Sequence, residues 1–192
     1  SKARRRIKVY SRLFCAYKSH ALLYYIDMKR VYLDSLSVQP NHLKSVLKVI
    51  YHLIVLNRSK SVDAFRLTFD KVLERQFCEI SDEKMMASIQ QQIELLIEKV
   101  LHTKADHFSV SFKVVTSDSA DQKIFLSFLS KPKVMVMEEY NLPINIAKQT
   151  SNDVVMLNNK LQENMKVILQ NIQNDETSMN LTQDLSFELT AK

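Results

Sequence analysis

Residues 42–59 read HLKSVLKVIYHLIVLNRS, and the apolar positions in this stretch decide the fold. Leu43, Val46, Leu47, Val49, Ile50, Leu53, Ile54, Val55 and Leu56 recur at helical spacing but spread beyond one face. A helix at the surface of a domain carries a stripe roughly 100° wide, and a wider stripe has to be covered from more than one side. These residues are therefore expected to form a central, mostly enclosed helix. Pro40 suits its first turn, where a missing N–H costs nothing, and Asn57, Arg58 and Ser59 end it.

On the N-terminal side, Val31, Leu33, Ser35 and Ser37 alternate with Tyr32, Asp34, Leu36 and Val38, the period of a short strand. On the other side, residues 62–80 fit two readings. Phe65, Leu67 and Phe69 alternate as in a strand, yet Phe65, Phe69, Val72 and Leu73 also share a helical face. Residues 77–80 read as extended. Ser81 is expected to cap a second helix, with Asp82 and Glu83 at the positive end of its dipole. Met85, Met86, Ile89, Ile93, Leu96, Ile97 and Val100 form the apolar face of that helix.

Phe108, Val110, Phe112 and Val114 mark the clearest half-buried strand in the chain. A polar loop over residues 116–122 leads to the apolar segment 124–129. After Pro132, residues 134–140 read as a strand whose continuous apolar start, Val134 to Met137, calls for cover on both faces. Ser151, Asn152 and Asp153 carry helix-start chemistry. Val154, Leu157, Leu161, Met165, Ile168 and Ile172 then line a third amphipathic helix, and Leu185, Phe187 and Leu189 a last strand. Three helices packed on one face of a mainly antiparallel sheet make an α+β domain, assigned to residues 28–192.

Composition narrows the function. The 192 residues include no glycine, where an average chain would carry roughly a dozen or more. Phosphate-cradling loops, dinucleotide fingerprints and nucleophile elbows need glycine for close backbone approach or positive φ, so those scaffolds are largely closed to this chain. The net charge of +6 is uneven: residues 1–30 carry nine bases and one acid, and the rest is nearly balanced. A neutral body weakens nucleic-acid binding as the main task. Residues 1–27 read as a basic extension, helical or disordered. There Ile7, Tyr10, Phe14, Tyr17, Ala21 and Tyr24 at helical spacing offer one route to an anionic membrane. Cys15 and Cys78 match neither a zinc site nor a disulfide scaffold, which fits a reducing compartment.

No catalytic, cofactor or metal constellation emerges. His102 and His107 lie near Asp106, but their spacing does not bring ligands together on a helix, and His52 sits inside the apolar central helix. Glu138 and Glu139 are adjacent on a strand and face opposite sides, so they cannot work as a carboxylate pair. The apolar segment at Ile124, Phe125, Leu126, Phe128 and Leu129 has two readings, an edge strand on the core or an exposed finger that another protein clamps.

The order of elements resembles a HORMA domain. The likeness is greatest to the autophagy-related protein 101 family. MKRVYLDSLSVQ from Met28 resembles its first strand, and HLKSVLKVIYHLIVLNRS its first helix, including the closing Arg58 and Ser59. FCEISDEKMMASIQQQIELLIEKV resembles its strand into a capped helix, and FSVSFKV, KVMVMEEYNLPI, LQENMKVILQNI and LSFEL follow in its order. The chain ends at Lys192, three residues after Leu189, so the expectation is an open type without the C-terminal safety belt that peptide-trapping members wrap around a ligand.

The resemblance implies a non-enzymatic scaffold of the autophagy-initiation kinase complex, cytoplasmic and at the phagophore assembly site. It would pair with and stabilise the HORMA domain of autophagy-related protein 13. Family dimers of this type join through the third helix, which points here to Lys160, Glu163, Asn164 and Val167. The family's recruitment finger carries a tryptophan that this chain lacks; Phe125 and Phe128, with Pro132 beyond, occupy the corresponding segment. The alternatives are a peptide-binding HORMA adaptor of checkpoint or DNA-repair assemblies, and a membrane-surface protein acting through residues 1–27.

Overall fold

A computed structural model describes residues 28–59, 65–117, 134–147, 154–174 and 185–192. The basic extension, the segment holding Phe125 and Phe128, and the Ser151–Asn152–Asp153 start signal lie outside the described residues. The elements are β1 (Lys29–Tyr32), β2 (Leu36–Val38), α1 (Pro40–Arg58), β3 (Phe65–Asp70), β4 (Arg75–Ile80), α2 (Glu83–Thr103), β5 (His107–Ser117), β6 (Val134–Ile146), α3 (Val154–Gln173) and β7 (Leu185–Ala191). This is an α+β fold: among the described residues, three helices accompany a five-stranded mixed sheet and a two-stranded hairpin.

Helix α1 is enclosed, as its wide apolar stripe requires. On one side Tyr51 meets the Phe112 ring edge-on at 5.7 Å, and Arg58 is ion-paired with Glu138 of β6. On another side Lys48 and His52 face β4, where Lys48 pairs with Glu79 at 2.6 Å and the Ile80 N–H donates to His52 Nδ1 at 3.1 Å. The helix thus lies between the main sheet and the hairpin, with α2 and α3 beside it. Pro40 opens it, and the Ser59 N–H closes it on the Val55 carbonyl.

The ambiguous stretch resolves as strand. β3 and β4 pair antiparallel with Phe65 opposite Ile80, and Asp70 Oδ1 accepts the Val72 and Leu73 N–H groups in the turn between them. Without glycine, the left-handed positions fall to ordinary residues: Glu74 at φ 51° in this turn and Lys104 at φ 49° after α2. The cap of α2 is Asp82, accepting from the Met85 N–H at 2.7 Å, one residue later than Ser81.

The sheet order is β1-β6-β5-β7, with β2 following β1 along β6. β5 pairs antiparallel with both β6 and β7, but β1 and β2 run parallel to β6, so the sheet is mixed at one edge. The single strand expected over residues 31–38 is broken in two. Tyr32 pairs with Asn141 and Leu36 with Ile144, so the first strand holds one residue more than its partner over that interval. This bulge re-phases the pleat, and Val31, Leu33, Leu36 and Val38 are all buried despite their mixed parity.

Proline explains where the break falls. Leu33 N–H donates to the Asn141 carbonyl at 2.9 Å, and continued parallel pairing would next need the N–H of residue 143, which is proline. A second register shift lies opposite Val114 and Val115, which pair with Glu138 and Val136 and are both buried. Val136 and Met137 on β6 are half-buried.

Candidate functional site: the outward face of the third helix

Helix α3 has two faces. Leu157, Leu161, Asn164, Ile168 and Ile172 point inward at helical spacing and are buried. Asn158 Nδ2 donates to the Leu73 carbonyl in the hairpin turn at 2.6 Å, tying the helix to the rest of the domain. On the outward side, Met156, Lys160, Glu163 and Val167 follow at spacings of four, three and four and form one stripe along the helix. Met156 is 62% and Val167 37% exposed, with the exposed Val155 beside them. Glu163 accepts from Lys166 at 2.7 Å in an exposed pair, which holds little energy and can be rearranged when a partner arrives.

Three of the four residues expected on a partner-binding face, Lys160, Glu163 and Val167, are therefore outward. Asn164 is not. It is fully buried, its Oδ1 accepting from the Asp34 N–H at 2.7 Å and its Nδ2 donating to the Asp34 carbonyl at 2.9 Å. Asp34 lies in the break between β1 and β2, where the strand ladder no longer serves its backbone. The bulge leaves the N–H and the carbonyl of Asp34 outside the ladder, and the buried Asn164 pairs with both. Phe125 and Phe128 lie outside the described residues.

The remaining polar groups pair with one another at separate places in the fold. Glu138 and Glu139 face opposite sides of the sheet, as their adjacency requires. Glu138 binds Arg58 (Nε–Oε2 2.8 Å) and accepts from Tyr140 Oη, while Glu139 meets Ser111 Oγ, Lys192 Nζ at 2.8 Å and Arg30 Nε at 3.5 Å. His102 and His107 do not converge on one site: His102 lies 3.8 Å from Glu98 on exposed α2, and His107 Nδ1 meets Asn145 Oδ1 at 2.6 Å. A cavity of about 220 Å³ opens between α1, α2 and β4, lined by Lys44, Lys48, His52, Glu79, Met86, Ile89, Gln90 and Ile93. Its two lysines are already paired, Lys44 with Glu94 and Lys48 with Glu79.

The lining of that cavity includes the group with a pH signature. Burial lowers the His52 pKa to about 4, with the Glu79 charge opposing and those of Lys48 and Arg66 adding to the effect. Burial alone would raise the Glu79 pKa, but hydrogen bonds from Lys48, Arg66 and Thr68 outweigh it and hold the carboxylate at about 2. His52 is thus neutral in the fold and protonates more readily when unfolded. Its contribution is intact above the unfolded value near 6.5 and is lost as pH falls toward 4. Urea unfolding should show stability falling between pH 6.5 and pH 5, above the window of Glu79. His52→Asn keeps an acceptor near the Ile80 N–H and should flatten that slope; an unchanged slope would assign it elsewhere.

Comparison of the chain with protein-family models and with curated proteins returns no match.

Proposed function

We propose that this chain is a non-enzymatic docking subunit that binds a second folded domain through the outward face of α3. The observation that carries the reading is that this helix is fully anchored on one side yet leaves Met156 and Val167 exposed in one stripe with Lys160 and Glu163. Apolar anchors flanked by charge are the composition of a specific protein interface, where a few central residues hold most of the energy. The element order adds the family resemblance. On that basis the domain is HORMA-like and of the open type, its partner is the HORMA domain of autophagy-related protein 13, and its setting is the cytoplasmic autophagy-initiation kinase complex at the phagophore assembly site.

Binding is tested with the full chain and that partner domain by titration calorimetry. Met156→Asp together with Val167→Asp should weaken the complex by at least about 100-fold, since each truncated or charged hot-spot residue costs about 2 kcal/mol or more. Phe125→Ala with Phe128→Ala should leave the same affinity within about threefold, because the finger serves recruitment of other factors. Full affinity in the first variant would remove α3 from the interface, and loss in the second would merge the two roles.

A further inference from the structure

The hairpin strand β3 is exposed on both faces. It reads FRLTFD; Thr68 is half-buried, while the Arg66 side chain is 59% exposed although its guanidinium is held in place. Arg66 binds Glu79 through Nε at 2.8 Å and Nη2 at 2.7 Å, and Thr68 Oγ1 donates to the same carboxylate at 3.0 Å. The alternate residues face solvent: Phe65, Leu67 and Phe69 are 63%, 64% and 56% exposed, and the exposed Cys78 lies opposite Leu67 on β4. β3 has β4 on one side and, among the described residues, no strand on the other. Edge strands are usually blunted by an unpaired charge, a proline or a very short length. β3 is six residues long and free of proline, and its one basic side chain is held by a buried glutamate.

We infer that β3 is a self-pairing edge, through which two copies of this chain form a two-fold dimer with Leu67 opposite Leu67. The spacing argues for a second copy over an unrelated strand. A two-fold interface requires one patch to complement itself. Phe-x-Leu-x-Phe reads the same in both directions, so antiparallel pairing centred on Leu67 sets Phe65 of each copy against Phe69 of the other. Arg66 then lies opposite Thr68, and its charge is already balanced by Glu79 of its own chain. The two hairpins become one four-stranded antiparallel sheet with six large apolar side chains on one face.

Aromatic side chains cover roughly 150–250 Å² each when fully buried, so these partly exposed residues amount to roughly 700–900 Å² over both copies, of which edge-to-edge pairing covers only the flanks that meet across the seam. That is below the ~1,200 Å² of a standard stable interface, so the dimer forms reversibly with concentration. It uses a different surface from α3 and stands whether or not the reading of α3 does.

The test is sedimentation equilibrium of the full chain from about 1 to 500 μM, a range that brackets the affinity of small interfaces. The wild-type mass should rise from 22.4 kDa toward twice that value. Leu67→Asp and Leu67→Lys each place like charges across the two-fold axis and should move the midpoint at least about tenfold upward, since like charges directly opposite in a sheet repel. An equimolar mixture of the two variants should recover association, because unlike charges then meet at the axis. Phe65→Lys with Phe69→Glu, which puts opposite charges at facing positions, should associate, whereas Phe65→Lys with Phe69→Lys should not. This pair keeps the test valid if a Leu67 variant fails to fold by circular dichroism. A wild-type chain that stays monomeric, an oligomer indifferent to both Leu67 changes, or a mixture that stays dissociated would each overturn the proposal.

Discussion

Arg58→Met is expected to destabilise the domain by about 3–5 kcal/mol, the usual loss when one partner of a buried ion pair is removed. Arg58 sits in the last turn of α1, and its guanidinium reaches Glu138 on β6; both side chains are buried. Burial alone would lower the Arg58 pKa, but the Glu138 charge, with Tyr140 adding to it, outweighs burial and raises it, so the guanidinium keeps its charge in the fold. Removing the arginine leaves a carboxylate in an apolar layer between helix and sheet. Replacing both partners, Arg58→Met with Glu138→Leu, should recover part of the loss, because neither of these two buried charges then remains. Tyr140 Oη, which donates to Glu138 at 3.0 Å, loses its acceptor in that variant and holds the recovery short of complete. Urea unfolding at pH 7 measures all three proteins. A loss below about 1 kcal/mol for the single change, the range of exposed pairs, would show that the pair does not bridge α1 and β6 as described.

Asn164→Ala should cost about 1–3 kcal/mol, since it removes two hydrogen bonds to the Asp34 backbone at about 0.5–1.5 kcal/mol each. The two hydrogen bonds, at 2.7 and 2.9 Å, join α3 to the break between β1 and β2, so the loss is one of stability. Partner affinity measured well below the melting temperature should stay within about threefold of wild type, in contrast to the Met156 and Val167 changes on the exposed flank of the helix. Unaltered stability with lost binding would return Asn164 to the interface.

These two residues show how far the chain could be read unaided. Asn164 lies on α3 within two turns of Val167 and carries the composition of a surface position. Its inward direction follows from the inward spacing of Leu157, Leu161 and Ile168, but its purpose does not. That purpose arises from a bulge 130 residues away in sequence, and the bulge arises from Pro143 on a third element. Arg58 likewise read as the end of a helix, and Glu138 as half of a carboxylate doublet whose members point apart. Only the stacking of α1 on β6 brings them together.

The wide apolar stripe of residues 42–59 announced an enclosed helix, because covering such a surface admits no other solution. The alternation in β5 announced a half-buried strand for the same local reason. Periodicity reports which residues must leave water, so burial of the helices and the central strand was legible from the chain. Periodicity does not report what covers them. Residues 65–69 satisfied a strand and a helix equally well, and only pairing with β4 and the pull of Glu79 on Arg66 and Thr68 turned the phenylalanines outward. The parallel placing of β1 and β2, the service Asn164 performs and the exposed edge at Leu67 all depend on contacts between distant segments. Those contacts are set by the assembled layers, whose geometry no local pattern encodes.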